Sequence, residues 1–550
     1  MLLTESHLIF RGVRPLQRLG TAVRDLAFDY PFSGTLLLTP RGTGRLRTIP
    51  PDPWPGDAQL GRDMAAGIFR FVGHTLEKEN LSWEPEGAPA EWISALHGFE
   101  WLRDLRSVGG ERARRMAREM VTLWIARYPK FHATAWRADI TGLRLTSWIA
   151  FHDFFCASAD DEFRKDYFSS LTRQARHLAR ALPGNLSGIP LLRALKGLAY
   201  TGLALEDGEE RLEQACSGIL HQIREQILPD GGHISRSPQA TFEFLQCLVD
   251  LRAALIFAGT ELPEELQHAI DRIAPAVKFF RHGDGVLAQF NGGQAGNAHL
   301  CEITLMHSGA RGKAMESLPH CGYERITQGR ARMIMDTGLP MAPAYSHQAH
   351  AGLLGFEYSF GRERVIVNCG TSAVPGKWRH MLRSTLAHST LIVENCNSCQ
   401  IDSGGILSSR STVQARRQED ADVALIEARH TGYVPRFGLI HRRCVRLQDQ
   451  GNILCGEDQL TGKTGMFFAV RFHLHPGIHA SRVEESEEIL LRSASGMTWR
   501  FKAIGFTPDI EESVYGDAGI LPVPSLQIVL TGQTAGSTTT VEWEMRREKL

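Results

Sequence analysis

From Glu91 to Arg281 the apolar residues recur at helical spacing in blocks, 91–106, 110–128, 139–156, 161–182, 189–205, 208–228, 238–258 and 263–281, which predicts eight helices of similar length. Residues that stop helices separate the blocks: Tyr128-Pro129, Pro183-Gly184, Asp207-Gly208, Pro229-Asp230-Gly231-Gly232, and Gly259 followed by Pro263. After Gly283-Asp284-Gly285 the texture changes to short runs that alternate with period two. Examples are Arg332–Met335, Leu353–Phe360, Arg364–Asn368, Ser389–Glu394, Arg442–Leu447, Met466–His473, Glu488–Arg492, Gln527–Thr531 and Thr539–Glu544. Helices joined by short turns pack as hairpins, and the missing sequence period favours a closed α/α toroid over a repeat array. Strands with no helices between them imply an antiparallel β-sandwich. The expected fold class is therefore a two-domain α+β chain: an N-terminal arm over 1–60, a helical toroid over 61–284 and an antiparallel sheet domain over 285–550. The arm follows from the Pro- and Gly-rich stretch 31–60, which ends in Pro50-Pro51-Asp52-Pro53-Trp54-Pro55-Gly56.

Composition narrows the function classes. The 550 residues carry 61 basic and 61 acidic side chains, and this balance argues against non-specific nucleic-acid binding. The local run Arg103, Arg106, Arg112, Arg114, Arg115 and Arg118 reads as a solvated helix face. Ten scattered cysteines sit mostly in apolar runs, as reduced core thiols do, and Cys396-x-x-Cys399 has no second pair at zinc-finger spacing. Gly231-Gly232 and Gly292-Gly293 lack the strand–helix setting of a nucleotide loop, so no nucleotide cofactor is expected. No apolar run is long enough for a signal peptide core or a membrane span, which gives the expectation of a cytoplasmic protein without membrane contact. Trp83, Trp92, Trp101, Trp124, Trp136 and Trp148 fall at core spacing. Trp136 and Trp148, beside Arg137 and Arg144, are the candidates for stacking on a sugar.

Polar chemistry is densest in 343–390, with Tyr345, His347, Gln348, His350, Glu357, Asn368, Arg379, His380, Arg383 and His388. Imidazoles among amides and guanidinium groups are able to bind a metal, move protons or hold an anion. His473-x-His475 share a strand face, where packing is the ordinary role.

The run Tyr345-Ser-His-Gln-Ala-His350-Ala-Gly-Leu-Leu-Gly-Phe-Glu357, then Val365-Ile-Val-Asn368-Cys-Gly370-Thr371, then Arg383-Ser-Thr-Leu-Ala-His388-Ser-Thr390 resembles the C-terminal core of the heparinase II/III polysaccharide lyases. Upstream, Gly142-Leu-Arg144-Leu-Thr-Ser-Trp148, Lys196-Gly-Leu-Ala-Tyr-Thr-Gly202 and Gln226-Ile-Leu-Pro-Asp230-Gly-Gly-His233-Ile-Ser-Arg236-Ser-Pro238 resemble that family's toroid, in the same order over residues 90–545. The resemblance implies β-elimination on an acidic, uronate-containing glycan: the uronate carboxylate is neutralised, a base removes the proton beside it, and an acid serves the glycosidic oxygen. It implies zinc held by His350, His388 and residue 368, where the family's Asp ligand is here Asn368. The family's Tyr after Ser-Pro falls at Ala240, and its Asn before the Lys-x-Leu helix falls at Ile189. This leaves Asn185, Tyr345 and His347, with Tyr200 in reserve, as the catalytic candidates. Arg144, Arg236, Gln348, Trp148 and Arg383 are the substrate-binding candidates. Two readings follow: a lyase-like enzyme, or a non-catalytic glycan-binding or scaffolding protein on the same fold.

Overall fold

The computed structural model describes residues 44–77, 82–339, 343–402, 405–408, 411–420, 423–517, 519 and 521–548. Most of the expected arm, residues 1–43, lies outside the described residues. The chain divides into two compact units, Met1–Gln222 with Asp250–Pro263, and Ile223–Val249 with Glu264–Leu550.

The helical blocks form as the spacing predicts, with two interruptions in the first unit. Block 91–106 divides into Ala90–Gly98 and Leu102–Val108 because Phe99 adopts a left-handed backbone, φ 59°. Block 139–156 divides at Phe151 into Ala138–Ala150 and His152–Cys156. Helices Ala138–Ala150 and Gly188–Ala204 approach backbone to backbone, and the sequence permits this through two glycines. A Cβ on Gly142 would stand 2.6 Å from the Cα of Ala194, and one on Gly197 would stand 2.3 Å from the Cα of Gly142. Lys196 reaches across to Asp250 at 2.8 Å, and Asp250 also accepts from the Trp54 indole at 2.6 Å. A helix, Ala58–Ala65, and a hairpin, Ile68–Phe71 with His74–Glu77, precede the first of these blocks and were not signalled by the hydrophobic pattern. No helix among the described residues is long and apolar enough to cross a membrane.

The second unit holds two large antiparallel sheets. One runs in the order Val413–Glu419, Val423–His430, Leu439–Gln448, Ile453–Gly462, Thr538–Arg547, Thr498–Ile504, Ile489–Ser493 and Ile478–Arg482. The other runs Asp509–Tyr515, Val523–Gln533, Phe467–Leu474, Glu363–Val367, Phe356–Phe360, Ala331–Asp336, Tyr323–Gln328 and Ser317–Leu318, with Leu391–Val393 pairing on Phe467–Leu474. Alternation along the strands buries Phe356, Phe472, Phe501 and Trp543 in one core, where the Phe356 and Trp543 rings stack 5.8 Å apart. Three helices, Ala298–Ser308 and the short Lys377–Leu382 and Val434–Phe437, stand among the described residues where the period-two reading expected strands only.

The expected domain boundary at residue 284 follows the change of texture, yet the compact units divide elsewhere. Arg236 supplies the physical reason. It is buried, donates to the carbonyls of Cys321, Gly322 and Leu339, and pairs with Asp336, so the segment around it is built into the strand-rich unit.

Candidate functional site

The strand-rich unit encloses a polar pocket of about 160 Å³. Its first wall is the start of helix Pro238–Phe257, where Pro238 opens the helix without losing a bonded N–H. Gln239 and Glu243, one turn apart, both line the pocket, and Gln239 Nε2 donates to Glu243 Oε1 at 2.9 Å. This leaves Gln239 Oε1 buried without a partner among the described residues. A second wall is the loop of Gly292 and Gln294. Gly292 holds φ +74°, and a Cβ there would come within 2.9 Å of the Gln348 Cβ, so only glycine lets the two loops close. Gln348, in a turn, lines the opposite side. Arg379 and Arg383 complete the rim, and both are held by the backbone. Arg379 donates to the carbonyls of Ser372 (3.0 Å) and Ala373 (2.5 Å), and Arg383 to those of Ala349 (2.8 Å) and Ser346 (3.0 Å).

His350 stands at the pocket floor, and its protonation follows from its neighbours. His388 Nδ1 lies 2.8 Å from the Ser384 carbonyl, which accepts only, so Nδ1 carries the proton and Nε2 presents a lone pair. His350 Nδ1 lies 3.0 Å from that lone pair and therefore donates. His350 Nε2 in turn accepts the Gly292 N–H at 3.0 Å. Burial lowers both histidines, His388 to about 4 and His350 well below the ordinary value, where the adjoining His388 and Arg383 further disfavour a second proton. Behind them Asn368 Oδ1 accepts from Ser389 N at 3.1 Å, and Asn368 Nδ2 donates to Glu357 Oε1 at 3.3 Å.

The zinc that the resemblance implies does not fit these residues. Every imidazole nitrogen of the pair has a hydrogen-bond partner, and the third donor is a neutral amide already engaged. Among the described residues no group of three or more His, Cys, Asp and Glu is arranged to hold a metal ion.

His350, Gln348 and Arg383 meet at the pocket, as the sequence suggests. His350 and His388 adjoin, although neither lies on a strand: both fall in loops beside Gly352, whose Cβ would strike the His388 ring at 2.4 Å. The other expectations need correction. Arg144 is fully buried on the Trp124 face, 3.9 Å from its centroid, and bonds Gln174, His97 O and Thr141, so it is core and not a carboxylate clamp. Arg236 is spent on Asp336 and three carbonyls. Trp148 is fully buried and Trp136 nearly so, which leaves no ring face for a sugar. His347 sits in a turn, exposed and outside the pocket lining. Tyr345 ends a short turn, Pro343–Tyr345, half-buried and also outside the lining. Asn185 is exposed in the turn before Gly188–Ala204, in the first unit, and Tyr200 is buried in that helix.

Sequence reasoning missed Gln239, Glu243, Gln294 and Thr371 as pocket residues. The first two had a legible signal: a polar pair at i, i+4 immediately after Ser-Pro, where a helix begins facing a loop. A larger groove of about 590 Å³ in the helical unit alternates Arg164, Arg176 and Arg211 with Asp161, Asp166 and Asp207. Charges of both signs give it no evident ligand preference.

Residues 62–304 match the heparinase II/III N-terminus, and residues 310–544 match the heparinase II/III-like C-terminal domain. Across 534 residues the chain is 30% identical to the FtsZ-localized protein C of Caulobacter vibrioides (strain NA1000 / CB15N), covering 92% of this chain and 91% of that protein. Among solved structures it resembles heparinase III with a TM-score of 0.73 and 14% identity, covering 98% of this chain and 92% of that one. It also resembles a mutant of the heparan sulfate lyase HepC from Pedobacter heparinus with a TM-score of 0.63 and 14% identity, covering 99% and 92%.

Proposed function

Because the chain belongs to the heparinase II/III family, we propose that it is a binding member of that lyase fold, which holds a glycan segment in its polar pocket without cleaving it and works where FtsZ assembles. One observation carries the reading: His350 in the pocket lining has both ring nitrogens committed, and among the described residues no phenol stands in the lining beside it. Elimination needs an acceptor for the proton beside the uronate carboxylate and a donor for the leaving oxygen. The amides of Gln239, Gln294 and Gln348 and the guanidinium groups of Arg379 and Arg383 instead suit recognition of sugar hydroxyl and carboxylate groups. The relative named for its localisation to FtsZ supports the proposed cellular setting.

Calorimetric titration with acidic oligosaccharides tests the binding half, with saturable heat expected and lost in Arg379→Ala. A fluorescent fusion imaged beside labelled FtsZ tests the setting. Absence of both signals removes the reading.

A second reading, a lyase that cleaves an acidic glycan by β-elimination, is favoured by one observation. Glu243 places a carboxylate in the pocket lining, and carboxylates serve as bases elsewhere in sugar chemistry. Glu243→Gln abolishes turnover on that reading, whereas on the first there is no turnover to lose.

A further inference from the structure

We infer that His350 and His388, backed through the Ser389 backbone by Asn368 and Glu357, form a metal-independent strut that positions the Gly292 loop of the pocket. The Ser384 carbonyl fixes the proton of His388 on Nδ1, so the His388 Nε2 lone pair is available and the His350 Nδ1–H donates into it. The Gly292 N–H then needs a lone pair on His350 Nε2, and it finds one at 3.0 Å. A cation bound by His350 Nδ1 would drive that proton to Nε2, where it would face the Gly292 N–H, donor against donor. The backbone at Gly292 thus selects the tautomer that a metal cannot use.

The residue behind the pair points the same way. Asn368 is both acceptor, from Ser389 N, and donor, to Glu357 Oε1. Glu357 is buried and fully subscribed: it also accepts from Gln289 N at 3.2 Å and Asn368 N at 3.0 Å, and lies 2.8 Å from His282 Nε2. An aspartate at 368 would lose the Nδ2 donor and set a second carboxylate against Glu357, an arrangement that calls for a cation. With asparagine the region is satisfied without one. The strut reaches the pocket at two consecutive residues, because His350 N donates to Asn291 Oδ1 at 3.0 Å while His350 Nε2 receives Gly292 N. His350 and His388 are positioning residues in this account, whether the pocket only binds or also turns over its glycan.

The test uses the full chain purified without chelator, with zinc per chain measured by elemental analysis and thermal melts recorded in EDTA and in added zinc. We expect zinc far below one per chain and identical melts in both media. His388→Ala should lower the melting temperature by about 2–6 °C, equally with EDTA and with zinc. His388→Gln, whose Oε1 falls where Nε2 stood and still accepts from His350, should recover at least half of that loss. Zinc near one per chain with a melting temperature that falls on chelation overturns the inference. So does a His388→Gln variant as damaged as His388→Ala, because an amide replaces a hydrogen-bond acceptor far better than it replaces a zinc ligand.

Discussion

The strand-rich unit contains two buried histidine pairs of nearly the same geometry, His350 with His388 and His430 with His441, each with ring centroids 5.1 Å apart and edge-on. Each begins at a glycine N–H, from Gly292 into His350 and from Gly432 into His430. They end differently. The first ends on the neutral Ser384 carbonyl beside the pocket. The second ends on Asp458, which His441 Nε2 meets at 2.8 Å and which also pairs with Arg443 and accepts from the Trp543 indole. Arg443 carries the consequence outward, because it donates to the carbonyls of Leu354 and Ser389, which flank the first pair. The same device thus serves two ends. Anchored on a charge it clamps a core, and anchored on a carbonyl it shapes a loop at the polar pocket.

The largest expected effect breaks the charged anchor. Asp458→Ala leaves Arg443 buried without a counter-charge and removes the acceptor of two further donors, so it should cost about 3–5 kcal/mol in urea unfolding. The same experiment on His388→Ala should show a smaller loss.

Acid should separate the two anchors next. Burial holds His388 at about 4, below its unfolded value near 6.5, so the unfolded chain binds the extra proton between those values. The stability is therefore complete above about pH 6.5 and falls as pH drops towards 4, by about 3 kcal/mol for this residue. Asp458 is held well below the usual carboxylate range by Arg443 and His441 against the opposing effect of burial. Its contribution is present above the unfolded value of 3.8 and is lost only as pH falls further. Urea unfolding at stepped pH should thus show a decline from 6.5 to 4 that is shallower in His388→Gln, and a separate decline below 4 that is missing in Asp458→Asn.

Asn368→Asp sharpens the neutral side of the comparison. It trades a donor for a like charge at Glu357, with an expected loss of about 1–3 kcal/mol at pH 7 in the presence of chelator. Least disruptive is Gln348→Ala. Its exposed turn predicts a stability change within about 0.5 kcal/mol, while glycan affinity measured by calorimetry should fall roughly 2- to 10-fold for one lost hydrogen bond.

The helix and strand blocks were legible because each carries its own period, and the order of motifs placed His350, Gln348 and Arg383 at one site. What the sequence concealed was direction and partnership. Arg144 and Arg236 read as anion binders in one dimension, yet one lies on Trp124 among neutral acceptors and the other is occupied by Asp336. Nothing in local pattern distinguishes an arginine aimed at solvent from one aimed at a carbonyl many residues away. The Gly292 loop escaped for a related reason, since Gly292-Gly293 was judged only against nucleotide motifs, whereas its role depends on contact with Gln348. The boundary at 284 followed texture, but compactness follows the network of Arg236.

The central claim is that the pocket binds without eliminating. β-Elimination leaves a conjugated double bond that absorbs in the ultraviolet, so one spectrophotometric time course reads it directly. Concentrated protein is incubated with glucuronan, alginate and glycosaminoglycans, after saturable binding to at least one of them has been established by calorimetry. The account predicts a flat trace with the polymer that binds. Absorbance that grows with time and disappears in Glu243→Gln would contradict it.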